Sequence, residues 1–393
     1  MRPIIPNLIR PIRRRWLPVL TGLTLCCLAE NSLLAQEGPL GPPKKETKNA
    51  PRNQKKNRDD APLSPEQFDA LKRDADSGNP GAQYELAVRF LLGDGAEKDI
   101  PKALEWANKA ADQGFSPAHH LLGVTFLDGL DGKENTKDDK KAAEHITLAA
   151  EFGFAPSQFI LGMLLEEGRG MTRDEMEAFK WYRRAGWQGE AHAQNAVAFC
   201  LIKGKGVAQN LKEAMKWLDA AVKQNLPEAQ VQLGNCYYEG NGVERDYKKA
   251  EEYFNQAAEQ ENVSGLNSIA WMQATCPDSK FINAKNSLEK ALKSVELTEG
   301  KNYALVDTLA AAHARNGDFP KALEAQKKAM DLLNADTKID KAEQTSLKKE
   351  FEDRLKLYEQ GKPFVEEPRK PEKPKTPPKP EKPLKGKGNP VVA

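Results

Sequence analysis

Five histidines, His119, His120, His145, His192 and His313, are the side chains best suited to metal binding or proton transfer in this sequence. No two of them fall at the i, i+4 spacing that puts two imidazoles on one helical face, and no acid completes a zinc-type motif around them. They are read as packing or surface residues. Glycine pairs of the form GxG, as in Gly204–Gly206 and Gly240–Gly242, invite comparison with phosphate loops. They follow helical rather than strand patterns and lack the Lys-Ser/Thr that a P-loop needs, so they are read as turns. The stretch from Asp128 to Asp139 is acidic and glycine-containing, but it has neither the alternating ligand register nor the closing bidentate Glu of a calcium loop. Asn262-Val263-Ser264 fits a glycosylation sequon. Two of the five cysteines lie before residue 36, which leaves Cys200, Cys236 and Cys276, an odd set without a CxxC pair. Cys200 and Cys236 share a column of adjacent repeats, where packed helices stand about 8–10 Å apart, and a disulfide needs Cα atoms within about 7 Å. Buried free thiols follow. No nucleophile–base pair or paired-acid arrangement can be placed, so the sequence predicts a protein that is not an enzyme and has no metal or cofactor.

What the chain does carry is a repeated pattern. Aligned at Ala82, Ala118, Ser157, Ala193 and Ala229, five copies are spaced by 36, 39, 36 and 36 residues and put Leu86, Leu122, Leu161, Val197 and Leu233 on one column. A period in this range marks supersecondary units that bury their apolar faces only by stacking. Apolar residues at positions 1, 5, 9 and 12 of each copy follow the stripe of an amphipathic helix, here called helix A. Position 6 is small in every copy (Ala87, Gly123, Gly162, Ala198, Gly234), which lets a second helix approach.

Gly93, Gly129, Gly168, Gly204 and Gly240 end helix A where a left-handed residue costs least. Asp99, Asp138, Asp174, Asn210 and Asp246 then supply the side-chain oxygen that caps a second helix, helix B. Two alanine columns run down helix B, Ala103 to Ala250 and Ala110 to Ala257. Between them a large side chain is expected to fill the buried face, as Trp106, Trp181, Trp217 and Tyr253, with His145 as the exception.

The pattern AxxxLGxxY, GxGV, KAxxWYxxAA resembles the Sel-1-like repeat, a relative of the tetratricopeptide repeat, over about 180 residues. The copies at Gly204–Val207 and Gly240–Val243 match it best, and the second copy departs from it in its Gly129–Gly132 turn and longer loop. Farther along, Asn302–Ala329 carries Leu309, Gly317, Phe319, Ala322 and Ala329 at tetratricopeptide spacing, with a looser copy before it. The resemblance implies an all-α fold, an α-α superhelical solenoid of stacked antiparallel helix pairs, and an adaptor or regulatory role. The expected organisation is an export signal (1–35), a Pro/Lys-rich linker (36–62), five repeats with an N-terminal capping helix (63–262), two tetratricopeptide-like repeats (263–336), a capping helix (337–360) and a Pro/Lys-rich disordered tail (361–393).

Residues 1–15 hold five arginines and no acid, and residues 16–29 are almost wholly apolar, the layout of an export signal. Cleavage is expected after Ala29 or Ala35, with retention as an anchor the alternative. The three flanking segments 1–35, 36–62 and 361–393 carry +4, +3 and +5 within a net charge of +2, which leaves −10 on residues 63–360. The basic tails either solubilise the chain or hold an anionic envelope polymer or membrane surface.

Positions 3, 7 and 10 of helix A point away from the stripe that meets helix B, yet are largely apolar or aromatic. The expected partner-binding residues are Tyr84, Val88, His120, Val124, Phe159, Met163, Asn195, Phe199, Val231, Asn235 and Tyr238. In related repeat families this face lines a concave groove that binds peptides; the competing use is packing of one A helix on the next. The expected function is an exported, monomeric scaffold or adaptor that binds a protein or peptide, without affinity for nucleic acid. The alternative is an envelope tether acting through its basic tails.

Overall fold

The computed structural model describes residues 63–129 and 137–367. The segments expected to be an export signal (1–35) and a linker (36–62), and residues 368–393 of the expected tail, lie outside the described residues. Among the described residues the regular structure is helical throughout, with sixteen α-helices and no strand. They fall into two compact units, described here as residues 63–190 and 191–367.

The first unit runs α1 (Pro65–Asp76), α2 (Pro80–Leu92), α3 (Ile100–Ala111), α4 (Ser116–Asp128), α5 (Asp139–Glu151), α6 (Ala155–Glu167) and α7 (Glu175–Trp187). The second runs α8 (Ala191–Lys203), α9 (Leu211–Lys223), α10 (Pro227–Glu239), α11 (Tyr247–Glu259), α12 (Val263–Thr275), α13 (Ala284–Glu296), α14 (Tyr303–Arg315), α15 (Phe319–Ala335) and α16 (Lys341–Glu359). Within each unit every helix packs on the next, which makes each a stack of helix pairs, an α-α solenoid. In the second unit the A helices also meet one another, α10 on α12 and α12 on α14.

Local chemistry sets the ends of these helices. Gly93, Gly129, Gly168 and Gly240 cap their helices in the left-handed region at φ 75°, 70°, 68° and 76°. The side chains of Asp99, Asp138, Asn210 and Asp246 accept from the backbone N–H three residues on at 3.0–3.1 Å. Asp174 caps Met176 and Glu177 in the same way. Ser64 opens α1 with a reciprocal capping box to Gln67.

The large column of helix B sits one residue from its expected place. Trp106, Trp181, Trp217 and Tyr253 are half-buried, whereas Ala107, Ile146, Tyr182, Leu218 and Phe254 are fully buried. Residues at i+3 and i+4 lie on opposite flanks of the stripe set by Ala103 and Ala110, because each residue turns the helix by about 100°. The i+4 flank is the one that meets helix A. The i+3 rings form a half-wet edge, where Lys109 sits 3.9 Å from the centre of the Trp106 ring and Arg184 sits 4.4 Å from that of Trp181.

The small column of helix A is matched to this buried column. A Cβ on Gly123 would lie 2.6 Å from Ile146, one on Gly162 2.5 Å from Tyr182, and one on Gly234 2.6 Å from Phe254. Where helix B carries Ala107 or Leu218, the register position on helix A is an alanine, Ala87 or Ala198.

A second recurrent device was not anticipated. Gln113, Gln188, Gln224 and Gln260 each donate to the glutamine thirty residues earlier, Gln83, Gln158, Gln194 and Gln230, at 2.7–3.0 Å. Exposed donors on buried acceptors, these amide pairs tie the end of helix B to the start of its own helix A in four of the five copies. In the second copy Phe152 stands where the others have the donor glutamine, and His119 instead meets His145 with Nδ1 atoms 3.1 Å apart.

Residues 361–367 differ from the disordered tail expected from composition. They leave α16 through Gly361 and pack back onto the second unit, with Glu366 only 7 % exposed. One aromatic and one acid find fixed partners, which outweighs the high proline and lysine content of the residues that follow.

Candidate peptide-binding face

In residues 63–190 the predicted A-face residues are largely taken up by packing. Val88, His120, Val124 and Phe159 are buried. His120 bonds Ser157 at 2.8 Å through Nδ1 and lies edge-on to Phe154 at 5.1 Å, so it joins α4 to the copy beginning at α6. Burial holds its imidazole well below the ordinary value, at a pKa of about 4. Phe159 lies 5.8 Å from the Tyr182 ring. The expectation of exposed apolar area is therefore corrected for these four: packing between helices occupies them. Tyr84 and Met163 are half-buried, Tyr84 against Phe115 at 5.6 Å.

In residues 191–367 the same face has a different use. Val231 is buried, Phe199 half-buried, and Asn195 accepts from Gln232 at 2.7 Å. Asn235 and Tyr238, at positions 7 and 10 of α10, face a site shared with α12 and α14. Extending the 36-residue period one copy beyond Ala229 places position 1 at Gly265, so positions 3, 7 and 10 become Asn267, Trp271 and Ala274. These residues, with Asp307 and Ala311 of α14, continue the stripe. Asn235, Tyr238, Asn267, Trp271 and Asp307 line a cavity of about 20 Å³, roughly the space of one water molecule. The Oδ1 atoms of Asn235 and Asn267 are buried there without a protein hydrogen-bond partner.

The segment 364–366 lies on this face. One carboxylate oxygen of Glu366 accepts from the Tyr238 hydroxyl at 2.9 Å and from the Trp271 indole N–H at 3.1 Å. Burial and the Glu366 charge push the Tyr238 hydroxyl well up, so it remains a donor. The Glu366 backbone N–H donates to the Thr275 carbonyl at 2.8 Å. Arg315 bridges α12 and the segment, donating to the Ala274 carbonyl at 2.5 Å and to the Phe364 carbonyl at 2.8 Å. The Phe364 ring packs 5.9 Å from Trp271, while Val365 between them points to solvent.

Beneath the segment Arg354 holds the floor rigid. Its guanidinium makes two 2.9 Å bonds to Asp307, with both side chains almost wholly buried. Its guanidinium carbon lies 5.5, 5.1 and 5.5 Å from the ring centres of Trp271, Phe351 and Phe364. Gln326 donates a third bond to Asp307 at 2.9 Å. Sequence reasoning missed Trp271, Asp307, Arg315, Arg354 and Glu366. The period extended by one copy would have found Trp271, but no local pattern links Glu366 to residues about a hundred positions earlier.

Among the described residues no group of three His, Cys, Asp or Glu side chains is placed to hold a metal. No described helix is long and apolar enough to cross a membrane. Cys200, Cys236 and Cys276 are buried and not joined in disulfides, and burial raises the Cys236 and Cys276 thiols to about 12 and about 11.

The Sel1 repeat profile matches residues 80–115, 116–153, 155–189, 191–226 and 227–262, boundaries that each enclose one helix pair. Among solved structures the chain is similar to a Sel1 repeat protein from Oxalobacter formigenes, with 25 % identity and a TM-score of 0.53 over 58 % of this chain and 90 % of that one. A protective antigen of uropathogenic Escherichia coli strains with an SLR fold shares 24 % identity at a TM-score of 0.39, over 68 % of this chain and 74 % of that one. No curated protein sequence matches the chain.

Proposed function

Because the chain carries five Sel1 repeats, we propose that it is an exported, non-enzymatic scaffold that binds a protein or peptide on the A-face of its second unit. Repeats of this kind build protein-interaction scaffolds, and the face supplies what a peptide site needs: aromatic area, fixed donors and a rigid floor. The observation that carries the reading is that α10, α12 and α14 already hold an extended peptide segment, with Tyr238 and Trp271 on its carboxylate. The arginine-rich start and apolar run of residues 1–29 support export.

The tether alternative is separated by salt. Affinity capture from an envelope extract, with the full chain and with a chain lacking residues 368–393, is expected to retain the same partner at high salt without the tail. Loss of capture under either condition would assign binding to the basic tail, whose contacts are screened, and would contradict the scaffold reading.

A further inference from the structure

The segment on the A-face belongs to the chain itself, and its side chains alternate as an extended ligand's would: Phe364 inward, Val365 outward, Glu366 inward. Both inward side chains and two backbone groups are recognised by groups that the helices supply. Leu347, Phe351 and Tyr358 of α16 cover the last helix pair from within the helix, and Phe364 packs on the edge of that cluster.

We infer that this face is a receptor for an extended peptide presenting an aromatic residue and, two positions on, a glutamate, and that residues 364–366 occupy it in cis as a tethered competitor. This inference rests on the proposed scaffold function and names the chemistry of its partner. The specificity has a physical basis. The carboxylate receives two neutral donors, the Tyr238 hydroxyl and the Trp271 indole, so an apolar residue in its place leaves buried donors unpaired and a glutamine turns two charge-assisted bonds into weaker neutral ones. The aromatic ring packs at a tilt against Trp271 and under the Arg354 guanidinium. Arg315 reads the main chain through the Phe364 carbonyl and so is indifferent to side chains. A cis segment joined directly to α16 acts at an effective concentration on the order of millimolar or more, so a partner must compete with it.

The test uses the full chain and one probe, a fluorescein-labelled peptide of sequence KPFVEEPRK, which is residues 362–370. Anisotropy titrations compare wild type with the opened variant Phe364→Ala/Glu366→Gln, with folding checked by circular dichroism. The opened variant is expected to bind the probe saturably, and wild type about tenfold or more weakly, because its competent state is a minor fraction. A probe carrying Glu→Gln at the position of Glu366 is expected to bind the opened variant about tenfold or more weakly, because two charge-assisted bonds become neutral ones. Should the double variant not fold, E366Q alone, which keeps the volume and removes the charge, is titrated in its place with the same expectations. A folded opened chain that does not bind the probe, or that binds the Glu→Gln probe equally well, overturns the inference. Self-association of wild type that is lost in the opened variant would assign the segment to exchange between copies and overturn it too. If the opened chain ignores the probe yet still captures its partner at high salt, the inference fails alone and the scaffold reading stands.

Discussion

Gly162 and Tyr182 are complementary across one helix pair: a Cβ on the glycine would lie 2.5 Å from the tyrosine ring, which is itself 2 % exposed and bonded to Glu166 at 2.6 Å. The ring cannot swing away from a new methyl group. The same matching recurs at Gly123 with Ile146 and at Gly234 with Phe254. Gly162→Ala is therefore expected to lower stability by about 1–3 kcal/mol through overpacking, despite the better helix propensity of alanine. Adding Tyr182→Leu, which recreates the Ala198 and Leu218 combination of the fourth copy, should recover part of the loss. Denaturant melts of the four members of this cycle check the coupling, and additive effects would show that the two positions do not meet.

The register of helix B makes a second prediction. Phe254→Ala empties a buried site and is expected to cost about 3–5 kcal/mol. Trp217→Ala removes a half-buried ring and should cost clearly less, although tryptophan is the larger residue. Thermal melts in which Trp217→Ala is the more damaging change would restore the tryptophan column to the core.

Much of this was legible in the sequence, for identifiable reasons. Helix ends are local chemistry: glycine at φ near 70° after each helix A and Asp or Asn before each helix B stand where the spacing puts them. The small column of helix A was readable too, because its consequence is steric. The large column was displaced by one residue because Trp217 and Leu218 flank the alanine stripe symmetrically, and only the direction of the neighbouring helix tells them apart. Exposure of the A-face was harder still. Periodicity shows that Phe159 and Tyr238 share a face, but what covers that face is set by partners distant in sequence, such as Glu366, 128 residues beyond Tyr238.

A third expectation concerns acid. The folded chain holds His120 neutral down to about pH 4, while the unfolded chain protonates it near 6.5. The unfolded state therefore binds the proton first, and stability falls as pH drops from 6.5 to 4, by roughly 3 kcal/mol at the lower limit for this group. His120→Asn keeps a polar partner for Ser157 and removes the titration. Its stability should fall less steeply than that of wild type over the same window, as read from denaturant midpoints at several pH values. Parallel slopes would show that His120 is solvated.

The thiols supply a fourth. Burial should keep Cys200, Cys236 and Cys276 unreactive towards iodoacetamide in the native chain at neutral pH, and the raised pKa values of Cys236 and Cys276 act in the same direction. Three modified sites are expected by mass spectrometry once the unreduced protein is unfolded. A disulfide between any two would contradict the structure.

A partner is expected to dock on the A-face of the second unit. The measurement that tests this most directly is site-specific photocrosslinking with benzoylphenylalanine placed in the full-length Phe364→Ala/Glu366→Gln chain, either at Asn235 on the A-face of α10 or at the exposed Lys216 on α9. Irradiation with the captured partner should give a covalent adduct at position 235 and none at position 216, with the partner fragment containing an aromatic residue two positions before a glutamate. Adducts at position 216 and none at 235 would place binding on the helix-B surface and contradict the account.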